Sequence, residues 1–320
     1  MKLRKQAVRS SIGIIIGIAL IGHIIYTLSS NATLTSIAFL QFFEKIKSVL
    51  FILVTLLFLS NFIEILKWKL LISSQQSISW KQATISVLAG QAASFITPNR
   101  IGDYPARIFS LNNRLTYGTI TLSIISASAQ TLAILMSSEI ALLLLKSNTT
   151  LAIFALLFKI NSVIIIAMIF FYFRIEWLSS LFFNNNVFRK LQKYIRLVKV
   201  ISIKLHLTAF ILSLLKFFIY TTQLYVLLHI TNQHVAFQNL FLLCVMYFWG
   251  MTIIPSIAYA ELGIRNKWAI FLFSIVAVES WKIVVIITSL WLLNIVIPAI
   301  IGASIWIFKQ SKNKWYAITN

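Results

Sequence analysis

The sequence predicts an all-α polytopic membrane protein with about six full spans and two oppositely oriented re-entrant helical hairpins. Apolar residues make up 59% of the 320 residues, charged residues only 11%, and the mean hydropathy is +0.90. Several segments stay apolar for about 18 residues or more without the alternation of membrane strands, which indicates helices. Two polar stretches that contain proline interrupt this apolar sequence, one in each half, and they predict the hairpins.

The charge balance is strongly basic, with 28 lysines and arginines against seven acids and a net charge of +21. In a soluble chain this balance would suggest nucleic acid as the partner. In a membrane protein, basic residues anchor the cytoplasmic ends of helices. They also attract anionic lipid headgroups by about 1 kcal/mol for each well-placed residue. We therefore expect membrane lipids as partners and no nucleic acid.

The first half of the chain, 1–173, begins with a basic segment that predicts a cytoplasmic N-terminus. The apolar run that follows lacks a small-x-small cleavage site, so we expect an uncleaved first helix. Residues 29–47 are predicted to be an exterior connection. The full spans of the whole chain are predicted at 11–28, 48–66, 117–145, 151–173, 205–229 and 283–308.

The first hairpin is predicted at about 79–114 by elimination. If residues 81–97 crossed the membrane, every later span would change direction, and the linker 174–204 would lie outside. That linker carries seven basic residues and a single acid, Glu176. Such an arrangement would place the most strongly basic segment of the chain outside, although basic segments normally lie in the cytoplasm. A hairpin that enters from the cytoplasm and returns to it keeps the linker inside.

The second half, 205–320, has the same order of span, interruption and span. Its hairpin, predicted at about 236–281, must begin and end outside, whereas the C-terminus is cytoplasmic. Residues 182–200 of the linker resemble an amphipathic helix on the inner surface. Two halves with opposed hairpins form an inverted repeat, the architecture of many transporters. We expect one integral membrane domain over 1–320.

The first broken region, Gly90–Arg107, reads GQAASFITPNRIGDYPAR and contains the chain's only aspartate. Asp103 and Arg107 are four apart and share one face if a helix starts near Gly102. One interpretation is an ion pair with arginines that extend to the interface. The other is an anion site of helix N–H groups, Arg100 and Arg107, suited to a lipid phosphate. The residues expected to break the backbone here are Pro98, Gly102 and Pro105.

The second broken region, Gly250–Arg265, reads GMTIIPSIAYAELGIR, with Pro255 and Gly263 as its backbone breaks. Glu261 and Arg265 are again four apart, so we expect both to belong to the substrate site. Lys216 lies near the middle of a span and is expected to contact substrate or to pair with a hairpin acid. Elsewhere, we expect a Glu139–Lys159 pair and a Glu64 that reaches water.

The sequence contains no motif of a soluble enzyme site: no nucleophile elbow, P-loop or paired catalytic carboxylates. Its one cysteine, Cys244, excludes an internal disulfide, and the four histidines share no metal-ligand spacing. We therefore expect no catalytic residue, no metal and no cofactor.

The two broken regions carry a resemblance to the transmembrane, flippase-like family of lysylphosphatidylglycerol synthases. The family pattern of glycine, then Pro-x-Arg-x-Gly-acid and a following arginine is matched by Gly90 and PNRIGDYPAR. A later proline before Gly-x-Arg is matched by IPSIAYAELGIR. Asp103 stands where the family often has glutamate, and Asn266 stands where an acid is common. The resemblance covers nearly the whole chain, in a stand-alone form without the aminoacyl-transferring domain, and implies lipid handling.

The expected function is that of a lipid flippase-like transporter for a phospholipid or an isoprenoid-phosphate-linked glycan. The alternative is a membrane-embedded transferase, or an accessory subunit for one, with a glycosyltransferase as the candidate protein partner. The expected location is a bacterial inner membrane.

Overall fold

The structure is a computed structural model that describes most of the chain. Several predicted features lie outside the described residues: the first span 11–28, Pro98, Pro255, the amphipathic helix 182–200 and the C-terminus from residue 306. The described residues are 36–97, 100–109, 111, 116–148, 152–181, 202–231, 235–254 and 261–305.

The described part of the chain is helical apart from short connections, and it contains no strand. The last described helix, Ser280–Trp291, continues through a π-helical turn, Leu292–Val296, to residue 305. The helices are α1 Ser36–Ser73, α2 Trp80–Ile96, α3 Asp103–Phe109, α4 Thr116–Asn148, α5 Ala152–Leu181, α6 Ile203–His229, α7 Phe237–Ile253, α8 Glu261–Phe273 and α9 Ser280–Trp291.

Five of these helices are long and apolar enough to cross a membrane, and they correspond to five of the six predicted spans. The all-α, multi-pass membrane class is therefore confirmed. The five candidate spans are Leu40–Ser73, Thr121–Leu145, Ile153–Phe173, Ile203–His229 and Ser280–Ile305.

Residues 36–47 of the predicted exterior connection 29–47 form the first three turns of α1, so this helix begins further back in the chain than the predicted span; the exterior position of these turns stays a prediction. This segment contains no proline or glycine, and its Gln41, Glu44 and Lys45 are good helix formers. Phe42 and Ile46 are buried against other helices, which holds the extension in place. With 38 residues, α1 is roughly 57 Å long, nearly twice the thickness of the hydrocarbon core.

Each broken region is a helix, an interruption and a second helix. Helix α2 starts at a capping box, in which Ser79 and Gln82 satisfy each other's backbone N–H groups, and ends before Thr97. Helices α2 and α7 have 17 residues each, which gives roughly 25 Å and is short for a full crossing. This length is compatible with the predicted hairpins, whose re-entrant course remains a prediction.

The core consists of two apolar clusters that meet along α6. One joins α6, α7 and α9 around Phe217, Tyr247 and Trp281, and the other joins α1, α2 and α4 around Trp68 and Leu122. Helix α6 packs against both α1 and α4. Helix α6 also contacts the second broken region directly through α7, whereas the first broken region packs on α1 and α4.

Candidate functional site

An ion pair joins the described parts of the two broken regions. Arg100, between α2 and α3, donates from Nη2 to Oε1 of Glu261 over 2.8 Å, although the residues are 161 positions apart. The same oxygen accepts from Arg265 Nη2 at 2.6 Å and from its Nε at 3.0 Å. One carboxylate of the second region therefore binds an arginine from each region.

Arg100 occupies a strained backbone position, with a φ of 57° in the left-handed region. Such a conformation is uncommon for a residue other than glycine and is typical of functional sites. The following turn is held by Thr97, whose hydroxyl accepts from the Gly102 N–H at 2.9 Å. A Cβ on Gly102 would lie 2.6 Å from the Ala93 carbonyl oxygen, so only glycine fits there. The turn projects the Arg100 side chain outward, 46% exposed, in contrast to the buried charges around it.

Asp103 and Arg107 form the i,i+4 contact on α3, with Arg107 Nε donating to Asp103 Oδ1 over 2.8 Å. Gly90 on α2 makes room for the pair, because a Cβ there would lie 2.0 Å from that carboxylate oxygen. Arg107 is 5% exposed and lies with its guanidinium 5.0 Å from the centre of the Trp68 ring. It is thus fixed within the protein, unlike Arg100.

Glu64 on α1 is the centre of the buried charge, and its 4% exposure corrects the expectation that it reaches water. Its carboxylate binds Arg107 at 3.0 Å, Lys67 at 3.0 Å and Lys216 at 2.8 Å. Lys216 therefore pairs with an acid of α1 and not with a hairpin acid, which was one of its two expected roles; the other, a substrate contact, stays a prediction. The sequence contained one local signal for this cluster, the i,i+3 spacing of Glu64 and Lys67.

Glu139 does not form the expected pair with Lys159. Its carboxylate accepts from Asn161 Nδ2 at 2.6 Å and from the Ser162 hydroxyl, whereas Lys159 is exposed. Asn161 in turn accepts from Trp249 Nε1 at 2.8 Å. These hydrogen bonds from neutral side chains connect α4, α5 and α7. They satisfy the hydrogen-bonding capacity of the Glu139 carboxylate without a salt bridge.

Two adjoining cavities lie beside these charges. The first, of about 490 Å³, is lined by Arg100, Glu261 and Arg265 together with aromatic and aliphatic side chains. The second, of about 290 Å³, is lined by Glu64, Asp103 and hydroxyl and amide side chains. We call them the amphipathic cavity and the polar cavity. They share the lining residues Arg100, Gln130, Lys216, Tyr220, Asn294 and Ile295.

The described lining of the two cavities carries an excess of two positive charges. Isolated charge is costly in a low-dielectric environment, so an excess of cations favours the binding of an anion. The five cations are Arg100, Arg107, Arg265, Lys67 and Lys216, and the three carboxylates are Glu64, Asp103 and Glu261.

All six residues predicted for the substrate site therefore line these cavities. In the sequence, five of them lie in the two broken regions, and Lys216 lies in a span between those regions. Of the predicted backbone breaks, Gly102 lies in the turn, whereas Pro105 and Gly263 lie inside α3 and α8. The described residues contain no group of three histidine, cysteine or acidic side chains that could hold a metal ion.

This fold and site define a multi-pass membrane protein with a positively charged cavity beside two interrupted helix pairs. The family model described as the lysylphosphatidylglycerol synthase TM region matches residues 11–304. The chain belongs to this family, which indicates a function related to membrane lipids. Neither a curated protein nor a solved structure matches the chain.

Proposed function

We propose that the protein is a lipid flippase-like transporter, which moves a phospholipid or an isoprenoid-phosphate-linked glycan between the leaflets of a bacterial inner membrane. The observation that carries this proposal is the excess of positive charge where the two broken regions meet. A lipid phosphate supplies the missing negative charge. A polar, basic cavity also offers the headgroup a path across roughly 30 Å of hydrocarbon while the tails stay in lipid.

Arg100 is the residue best suited to bind the phosphate. The contact to Glu261 occupies its Nη2 group, and its side chain is about half exposed. A phosphate that enters the amphipathic cavity competes with Glu261 for this guanidinium, which binds phosphate through two parallel hydrogen bonds. Glu261 keeps Arg265 as its partner when Arg100 leaves it. Headgroup binding thereby opens this contact between the two broken regions.

Arg107, Asp103 and Lys216 have a supporting role in this mechanism. Arg107 is bonded to Asp103 and Glu64, and Lys216 is bonded to Glu64. These contacts hold positive charge beside the cavity, where it attracts the phosphate without competing with Arg100 for it. In the predicted inverted repeat, the opposed hairpins offer equivalent access to a central site from each leaflet. A headgroup bound at that site is therefore able to enter from one leaflet and leave to the other.

Reconstitution in liposomes with a fluorescent anionic lipid tests the proposal. We expect Arg100→Ala to abolish headgroup movement and Arg100→Lys to restore it only in part, because lysine keeps the charge but loses the two-pronged geometry. Lys47→Ala, in an exposed ion pair on α1, is the matched control and should move lipid like the wild type.

Full activity of a well-folded Arg100→Ala protein would contradict the proposal. Formation of a covalently changed lipid by the purified protein, with a donor supplied, would favour the membrane-embedded transferase instead.

A further inference from the structure

We propose that the two cavities bind a phosphate that carries a hydrocarbon chain directly on its ester oxygen, which is the chemistry of an isoprenoid phosphate. This inference rests on the proposed function, and it chooses between the two substrate classes named there. In a glycerophospholipid, by contrast, a glycerol with ester groups separates the phosphate from the hydrocarbon. The observations that carry the inference are the different linings of the two cavities and the position of Arg100 in both.

The amphipathic cavity offers a ligand mainly hydrocarbon surface apart from its charged residues. Aromatic side chains of α6, α7 and α9 form one part of its lining. Aliphatic and thioether side chains of α4, α7, α9 and the residue after α7 form another part. Five of these are half-buried or exposed, so they keep surface that a ligand can contact: Ile134, Met251, Ile253, Ile254 and Ile295.

The polar cavity has the opposite character. The only aliphatic side chains in its described lining are those of Ala127 and Ile295. Its other uncharged residues carry hydroxyl or amide groups, among them Ser94, Ser126 and Thr131. This cavity therefore suits a polar group and gives a hydrocarbon chain little surface to contact.

Arg100 belongs to the linings of both cavities, and its side chain is 46% exposed. A phosphate bound to its guanidinium therefore lies where the two linings meet. A phosphodiester has two ester substituents, and the two cavities offer a polar surrounding to one of them and an apolar surrounding to the other. A ligand with a polar group on one ester oxygen and a hydrocarbon chain on the other matches this arrangement.

A glycerophospholipid fits the apolar lining less well, because its glycerol brings two ester groups next to the phosphate. Ester carbonyl oxygens that leave water without meeting a hydrogen-bond donor are destabilised. In the amphipathic cavity, the Thr252 hydroxyl already donates to the carbonyl oxygen of Phe248. The Asn294 amide likewise donates to Gln223. A hydrocarbon chain needs no donor and gains from each CH₂ group that it removes from water.

Calorimetric titration of the purified protein with short, water-soluble phosphate esters tests this inference. The decisive pair is n-propyl phosphate and glycerol 1-phosphate, which have the same three-carbon chain and differ only by the two hydroxyl groups of glycerol. Ethyl and butyl phosphate extend the alkyl series, and inorganic phosphate is the reference for the anion site alone.

We expect n-propyl phosphate to bind more tightly than glycerol 1-phosphate by a factor of roughly 5 or more, because the hydroxyl groups of glycerol lose water at the apolar lining. From ethyl to butyl phosphate, each added CH₂ group should strengthen binding roughly 2- to 4-fold. Glycerol 1-phosphate that binds as tightly as n-propyl phosphate, or an affinity that does not rise with chain length, would overturn the inference.

Variants of the apolar lining locate the hydrocarbon contact. Met251→Gln introduces a polar group of similar length, and we expect it to reduce the preference for n-propyl phosphate over glycerol 1-phosphate roughly 3-fold or more. Met136→Gln makes the same change at an exposed position of α4 outside both described linings and is the matched control. Ile134→Thr makes a similar change at a second position of the lining and replaces Met251→Gln if that protein does not fold. An unchanged preference in the lining variant that folds would contradict the assignment.

Arg100→Ala distinguishes failure of this inference from failure of the proposed function. It should weaken the binding of every probe, because all of them carry the phosphate. If no probe binds the wild type, the anion site of the proposed function is wrong, and this inference with it. If phosphate binds but the preference for the alkyl esters is missing, the anion site stands and the glycerophospholipid becomes the better substrate class.

Competition in nanodiscs identifies the source of the hydrocarbon chain. A long-chain isoprenoid phosphate in the nanodisc should displace butyl phosphate more effectively than phosphatidylglycerol does. Equal or stronger displacement by phosphatidylglycerol would overturn the inference. Displacement by neither lipid would contradict a lipid substrate and assign the site to a free alkyl phosphate.

Discussion

Glu64 is the residue on which the buried charge depends most. Its carboxylate contacts Arg107, Lys67 and Lys216, and all four side chains are largely or fully buried. Three cations within reach of one carboxylate repel one another, so the arrangement is stable only while that carboxylate is present. Removing one partner of a buried ion pair leaves uncompensated charge and is strongly destabilising.

We therefore expect Glu64→Gln to lower the free energy of unfolding by about 3–5 kcal/mol, because glutamine keeps the shape but not the charge. Thermal unfolding in detergent measures the loss. Glu44→Gln makes the same change in an exposed pair with Lys47 and should alter stability little. Equal unfolding temperatures of the two variants would show that the cluster does not hold the fold.

The structure also distinguishes two arginines that look equivalent in the sequence. Arg100 and Arg107 flank the same turn, and both were expected to bind the anion. Arg107 is held by Asp103 and Glu64 in the interior, whereas Arg100 is half exposed beside the cavity. The difference arises from α1, which brings Glu64 to Arg107 from 43 positions away in the chain.

At the scale of elements, close helix contacts at glycines hold the broken regions in place. Gly302, in the helical extension of α9, lies against α2, and a Cβ on it would be 2.0 Å from the Leu88 carbonyl oxygen. Gly250 near the end of α7 leaves space for Trp268 of α8 in the same way. Small residues at helix interfaces are typical of membrane proteins. Because lipid tails are as apolar as the side chains, helices associate there through close backbone packing and not through the hydrophobic effect.

Gly302→Ala should push α2 and α9 apart, because a backbone oxygen offers no flexible side chain that could move aside. We expect a loss of about 1–3 kcal/mol, the usual cost of overpacking, measured by thermal unfolding. The control is Ser304→Ala, two residues on, where the side chain is exposed and bonds only to its own helix. A Gly302→Ala protein as stable as this control would contradict the close contact.

At the scale of the whole molecule, the topology remains to be tested. We expect Arg107, the linker 174–204 and the C-terminus in the cytoplasm, and Ser147 and Asn232 outside, because this order keeps the basic clusters inside. Single cysteines introduced into a Cys244→Ala background can be labelled from either side of intact cells. Cys244 is buried, and its removal takes away the only native thiol.

Ser147→Cys and Asn232→Cys should react with an impermeant reagent from outside, whereas Lys193→Cys should react only after the membrane is opened. Exterior labelling of Lys193→Cys would contradict the first hairpin. It would show that α2 crosses the membrane and that every later span has the opposite direction.

The sequence by itself determined the membrane class, five of the spans that the structure describes, and the family. It also singled out Arg100, Asp103, Arg107, Glu261 and Arg265. These properties depend on local composition: apolar runs must be helical in lipid, and charged residues beside prolines and glycines are rare within such runs. The length of α1 could not be read in the same way, because its polar first turns do not belong to an apolar run and are held in place by Phe42 and Ile46, which pack on neighbouring helices.

Only the tertiary structure decided which charges meet. Glu64 looked like an acid near water, and Lys216 had no visible partner, because their 2.8 Å contact joins helices 152 positions apart. The contact between Arg100 and Glu261 likewise joins residues 161 positions apart in the chain. Pairing between side chains on different helices is set by helix rotation and depth, which the apolar pattern of lipid-soluble helices does not encode.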